Sequence, residues 1–309
     1  MTSAVVEKET PPKSVATAPP PWTTRVWHSG VLFVAPFLLV FAVFLVWPII
    51  SGFFMGFTDA SLNGRPAAFV GLANYSEAFT DPEVWRTLWH TVLFTLITTV
   101  PMVVIPLALA LLTNLGFPGQ WLYRMSFFAP FLLPVTVVTI FWGWMYHADF
   151  GLANAALEAI GLDRVPWLQD ERFAMLSVAI TTVWWTLGFN YLLYLAALQD
   201  IPQHLYEAAA IDGAGEWRSM WSITLPMLGR ITGLIAVLQL IASLKVFDQI
   251  YLLTRGGPNG ATRPVLLYVY DIGFSGFRLG YAAAISYLVF AVIVILSIGQ
   301  LKLFSRNSD

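Results

Sequence analysis

Two opposite charges, Lys245 and Asp248, stand inside an apolar run. Three residues apart on one helix they can pair, which makes charge at membrane depth tolerable. A structural pair or a gate is the preferred reading over ligands for a polar solute. Other reactive chemistry is scarce. The chain has no cysteine, which excludes disulfides, thiolate metal sites and cysteine nucleophiles. His28, His90, His147 and His204 are scattered, without metal-ligand spacing, and read as headgroup-level or surface residues. Nucleophile elbows, phosphate-binding loops and dinucleotide fingerprints are missing, so no catalytic or nucleotide site is expected. A net charge of −2 gives no basic surface for nucleic acid.

A second polar feature is the stretch EAAAIDGAGEWRSMWSITLPML, residues 207–228. Pro202 suits a first helical turn, and QHLYEAAAI continues with strong helix formers. Gly213 and Gly215 interrupt it. A second short segment brings Trp217, Met220 and Trp221 to one side at i, i+3, i+4 spacing, and Pro226 is expected to end it. Two readings of this segment stand side by side. It is either an interfacial loop with tryptophans at headgroup level, or a small-residue knob for a soluble partner, with Glu207 as its charged contact.

The elements that hold these features are membrane helices. Charged residues make up 11% of the 309, against about 25% in soluble domains, and the apolar residues come in long runs. A bilayer crossing needs about 20 apolar residues as a helix, and a helix satisfies its own backbone in lipid. Six spans are predicted, near 31–54, 88–112, 125–146, 173–198, 231–253 and 279–301, with residues 200–227 as the polar insert between the fourth and fifth. Residues 1–24, rich in Pro, Ala, Ser and Thr, predict a disordered tail on the cytoplasmic side rather than a signal peptide; residues 25–309 form the six-span unit. Eight Lys/Arg fall on the side of the termini and seven on the other, so charge bias does not orient the chain.

The insert resembles the EAA loop of permease subunits of binding-protein-dependent, ATP-driven importers. That pattern is Glu-Ala-Ala, three residues, Gly, nine residues, Ile, one residue, Leu-Pro. This chain gives Glu207-Ala208-Ala209, Gly213, Ile223 and Leu225-Pro226 with both spacings kept. KVFDQIYLLTRGGPNGAT and FRLGYAAAISYLVF are similar to the carbohydrate-uptake branch, the first permease of maltose-type and glycerol-phosphate-type pairs. The resemblance covers residues 31–304. It implies an all-α membrane protein with the type I importer permease fold, in a bacterial or archaeal cytoplasmic membrane, with both termini and the coupling helix cytoplasmic.

It also implies the partners: a second homologous permease, two ATPase subunits that carry ATP and Mg, and an extracytoplasmic solute-binding protein. The chain itself would bind no cofactor and hydrolyse nothing. Glu207, Ala208, Ala209, Asp212, Gly213, Ile223, Leu225 and Pro226 become the ATPase-coupling residues. Family positions for solute contact, carried onto this chain, are Phe131 and Val135, Trp185 and Thr186, then Gln239, Ser243 and Val246. Asn190, one turn from Thr186, is a further candidate, since polar groups inside spans are costly and often functional. The solute would be a sugar or another small polar molecule such as a polyol, glycerol phosphate or a phosphodiester. An ion-coupled secondary transporter would show inverted repeats and paired intramembrane carboxylates, and a membrane enzyme would cluster His, Asp or Glu; neither pattern occurs in the sequence.

Overall fold

The structure is a computed structural model that describes residues 33–116 and 118–306. The expected tail, residues 1–24, lies outside them. The chain falls into two units, Met1–Gly52 and Phe53–Asp309. Helix α1, Phe33–Met55, carries no charge and is apolar on every side, as a lipid-facing helix is. Its Ala42–Val46 turn is π-helical, with the Trp47 N–H donating to the Ala42 carbonyl just before Pro48. A proline removes one rung of the helix ladder, and a single π turn is a common way to absorb such a fault.

In the second unit the regular structure of the described residues is helical, with one isolated bridge between Thr58 and Phe69. After α2 (Ala73–Thr80) comes α3 (Pro82–Asn114), whose Asp81 cap accepts the Glu83 N–H at 2.9 Å and whose first residue is proline. Helix α4 (Gln120–Leu132) ends in a 3-10 turn and meets α5 (Val135–Met145) at a bend of 102°. The predicted third span is therefore broken. Leu133, which precedes Pro134, is extended at ψ 137°, as the residue before a proline prefers. The short α6 (Leu152–Ala159) leads to α7 (Glu171–Gln199), capped by Asp170.

Then follow α8 (Gln203–Ile211), α9 (Glu216–Met227), α10 (Gly229–Leu244), α11 (Asp248–Leu253), α12 (Val265–Ser275) and α13 (Leu279–Arg306). Among the described residues four helices are long and apolar enough to cross a bilayer, or up to six if each bent pair counts as one span. The predicted fifth span also needs correction. Its helix stops at Leu244, and α11 is a separate piece.

Helix α7 packs chiefly on α3, and α10 lies against α3 and α13. Small polar residues are buried along α3, where Thr91 meets the start of α12 and Thr98 meets Ser243 of α10. Thr87, Thr91, Thr95 and Thr98 on α3 are buried, each donating to a carbonyl one turn back at 2.7–2.8 Å. Bonding back to its own helix lets a hydroxyl enter an apolar environment without an orphan donor. Gly188 marks a close approach of α7 to α4. A Cβ there would lie 2.5 Å from the Phe127 carbonyl oxygen and 2.8 Å from the Phe128 Cα.

The ends of α3, α12 and α13 opposite the 200–227 segment are tied by side chains. Tyr268 and Tyr281 both donate to Asp81, at 2.6 and 2.8 Å, and Arg278 forks onto Glu77 at 2.8 and 2.6 Å. The turn between α11 and α12 is pinned as well. Asn259 donates to Glu171 at 2.7 Å, Arg86 donates to the Asn259 carbonyl at 3.0 Å, and the Val265 N–H donates to Thr91 at 2.9 Å.

Burial raises the Asp81 carboxyl, but hydrogen bonds from Tyr268, Tyr281 and the backbone outweigh it, and the net shift is downward. A carboxyl lowered by folding contributes stability that is present above its unfolded value, about 3.9. That contribution is lost as pH falls through the lower folded value. Asp81→Asn should therefore lower the thermal unfolding midpoint at neutral pH, and its midpoint should change less than the wild type's on acidification to about pH 3. Parallel wild-type and variant curves across that range would remove this role.

Candidate functional site

The 200–227 segment folds as two short helices. Pro202 is the N-cap of α8 rather than its first residue. At the far end Gly213 adopts φ +78°. Its N–H donates to the Ala210 carbonyl at 3.1 Å, and the Ala214 N–H reaches back to Ala209 at 2.9 Å. This is a Schellman-type stop, which favours glycine at the left-handed position. The Tyr206 and Thr224 hydroxyls lie 2.9 Å apart and tie α8 to α9.

Glu207, Ala208, Asp212, Gly213 and Pro226 are exposed, and Ala209, Ile223 and Leu225 are half-buried. No ion pair holds Glu207 among the described residues. Trp217 and Trp221 meet edge to face at 5.9 Å. Trp217 and Met220 also line a cavity of about 620 Å³ between the segment and the end of α3. Pro226 does not end the segment: the helix runs on to Met227 and turns by 55° into α10. A π turn at Met220–Thr224 precedes this proline, as one precedes Pro48.

A second cavity, of about 360 Å³, opens among α3, α4, α7, α10 and α11. Five of the sequence candidates line it: Phe131, Thr186, Asn190, Gln239 and Ser243. Phe131 stacks on Phe189 at 5.6 Å. Gln239 donates to the Ser243 hydroxyl at 3.2 Å, which lies 3.1 Å from that of Thr98. Gln249 lines the same space and reaches Thr182 at 3.4 Å. Sequence reasoning missed Gln249, although an amide in an apolar run is itself a signal. The walls thus offer aromatic faces beside amides and hydroxyls.

The other candidates lie elsewhere. Val246 is 3% exposed and packs with Phe94 and Ile250 in the core between α3, α7 and α11. Trp185 donates its indole N–H to the Leu133 carbonyl at 3.0 Å, a group freed by the α4–α5 break, and Val135 opens α5 just beyond that break. Lys245 and Asp248 do not share a helix. Lys245 caps α10 and Asp248 opens α11, and no ion pair joins them.

Asn190 has a structural partner. Its amide donates to the Met102 carbonyl at 2.9 Å, the group that Pro106, four residues on, cannot reach for want of an N–H. Asn190→Leu should strand that carbonyl at a cost of about 1–3 kcal/mol. The check is a lower unfolding midpoint in detergent; an unchanged midpoint would mean that the carbonyl finds another donor.

A bundle of broken and unbroken apolar helices, with a polar helical elbow on one end and an amide-lined cavity within, defines a membrane transport component. Residues 78–307 match the family of binding-protein-dependent transport system inner membrane components, and the chain belongs to that family. It is 35% identical over 281 residues to the sulfoquinovosyl glycerol transport system permease protein SmoG of Agrobacterium fabrum, covering 91% of each chain. It is also 35% identical to the trehalose/maltose transport system permease protein MalF of Thermococcus litoralis, covering 91% of this chain and 95% of that one. A solved bacterial alginate ABC transporter, in complex with alginate pentasaccharide-bound periplasmic protein, superposes with a TM-score of 0.82 at 25% identity. That match covers 94% of this chain and 98% of the solved chain. The fold is that of a type I ABC importer permease, and the chain is a permease subunit of an ATP-driven importer.

Proposed function

We propose that this permease carries a sugar or sugar derivative, with a second, homologous permease completing the pathway. Two ATPase subunits supply the energy, and an extracytoplasmic binding protein delivers the solute. The observation that carries this reading is the exposed α8–Gly213–α9 elbow, with Glu207 free to contact a soluble partner. On this reading the elbow is the cytoplasmic coupling helix, both termini are cytoplasmic, and the pinned turn at residues 254–264 is extracytoplasmic. ATP and Mg act on the ATPase, and this chain binds no cofactor and catalyses nothing. ATPase closure would push the elbow and, through the bent α9–α10 helix pair, rock α10 against α3 and α7. The pathway would then alternate between inward and outward access.

The lining of the central cavity supports a polyhydroxylated solute. Phe131 and Phe189 offer apolar ring faces, while Gln239, Ser243, Gln249 and Thr186 offer donors and acceptors. Relatives named for sulfoquinovosyl glycerol and for trehalose and maltose support the same class. Thermal-shift screening of the cognate binding protein against neutral sugars, sugar acids, polyols and glycerol phosphate identifies the cargo. Stabilisation by a sugar or sugar derivative is expected; stabilisation only by a non-sugar solute such as glycerol phosphate would overturn the sugar assignment.

A further inference from the structure

The charges at the break between α10 and α11 have no use in the site described above. Helix α10 ends at Leu244, Lys245 sits at φ −101° and ψ 19°, and Phe247 is extended at φ −150° before Asp248 restarts the helix. Leu244 and Val246, on either side of Lys245, are 4% and 3% exposed and face the core. Lys245 and Asp248 are both exposed, and no ion pair holds either charge among the described residues.

Their place in the fold is specific. Leu238 and Ala242, seven and three residues before Lys245 on the same helical stripe, are exposed and line the central cavity, and Gln249 lines it just beyond Asp248. The charges therefore lie beside that cavity, between residues that line it, without lining it themselves. Sixteen residues of α10 precede Lys245, about 24 Å of helix at 1.5 Å per residue, within a hydrocarbon layer of about 30 Å. A charge at such depth faces water or an opposite charge rather than lipid.

We propose that this break is a contact with the second permease. Lys245 meets a carboxylate and Asp248 a cationic side chain of that subunit, and the two pairs close the outer mouth of the cavity until ATPase closure separates them. The inference rests on the importer reading, which supplies the second permease. A plus and a minus three residues apart are self-complementary across a two-fold axis, where each residue of a pair meets the other's counterpart. Two homologous subunits related by such an axis would bring their equivalent breaks face to face. An open helix break provides what a gate needs, because backbone rotation there moves the charges without disturbing the packed Leu244 and Val246.

The chain has no cysteine of its own, so Lys245→Cys places a single thiol at the break. In the complete transporter, single cysteines scanned along the corresponding span of a cysteine-free second permease are expected to form a disulfide with it under mild oxidation. Trapping the ATPase with vanadate should reduce that cross-link at least tenfold. Asp248→Cys, scanned in the same way, serves if Lys245→Cys fails to assemble. Either thiol that reacts with a maleimide in both states while cross-linking at no partner position overturns the proposal. ATP-driven uptake by the wild-type transporter, measured in the same preparation, separates the two readings. Normal uptake without a cross-link rejects only the contact, whereas no ATP-driven uptake contradicts the importer itself.

Discussion

Glu207→Lys is expected to abolish solute uptake while leaving membrane insertion and thermal stability near wild type. Glu207 is exposed on α8 and held by no ion pair within the described chain, so its charge can be reversed without stranding an internal partner. If it meets a cation of the ATPase, reversal replaces an attraction by a like-charge contact. Truncating one member of such a pair typically costs about 2–5 kcal/mol, which is about 30-fold or more in association. Reversal should cost at least that. Copurification of the ATPase and binding-protein-stimulated ATP hydrolysis should fall together, and wild-type values for both would exclude Glu207 from the docking contact. Gly213→Pro should act by geometry instead, because proline cannot take the φ of +78° that ends α8.

Gly188→Val is expected to destabilise the fold. Helix α7 passes so close to the end of α4 that an added Cβ would overlap the Phe127 carbonyl and the Phe128 backbone. Backbone cannot swing aside as a side-chain tip does. Relief requires α7 to move off the 3-10 turn that carries Phe131, and with it the stack of Phe131 on Phe189. Overpacking of this kind costs about 1–3 kcal/mol, occasionally more. Low yield in detergent and a lowered unfolding midpoint are the measurements; Gly188→Ala should lie between wild type and Gly188→Val. A valine variant as stable as wild type would show that the two elements separate freely.

What the sequence makes legible follows from what is local. Six apolar runs announce spans because hydropathy over about 20 residues needs no knowledge of neighbours. The spacing from Glu207 to Pro226 is equally local, and the φ at Gly213 follows from glycine ending a helix. The breaks are harder. Pro130 and Pro134 mark the third span, yet Pro101 and Pro106 lie inside an unbroken α3. Asn190, 88 residues away, donates to the carbonyl that Pro106 leaves free. No proline marks residues 245–247, where the fifth span opens and separates Lys245 from Asp248. Val246 sits beside that break, and its assignment to core or pathway depends on which way the backbone turns, a matter of packing against Phe94 and Ile250.

Coupling of the 200–227 elbow to an ATPase can be read out most directly in reconstituted transport. The wild-type chain, its second permease, the ATPase and the solute-binding protein would be placed in liposomes, and uptake followed with and without enclosed ATP. Uptake is expected to require ATP and the binding protein, and to be lost in Glu207→Lys and Gly213→Pro although both variants insert. ATP-dependent uptake at the wild-type rate in both variants would contradict the coupling.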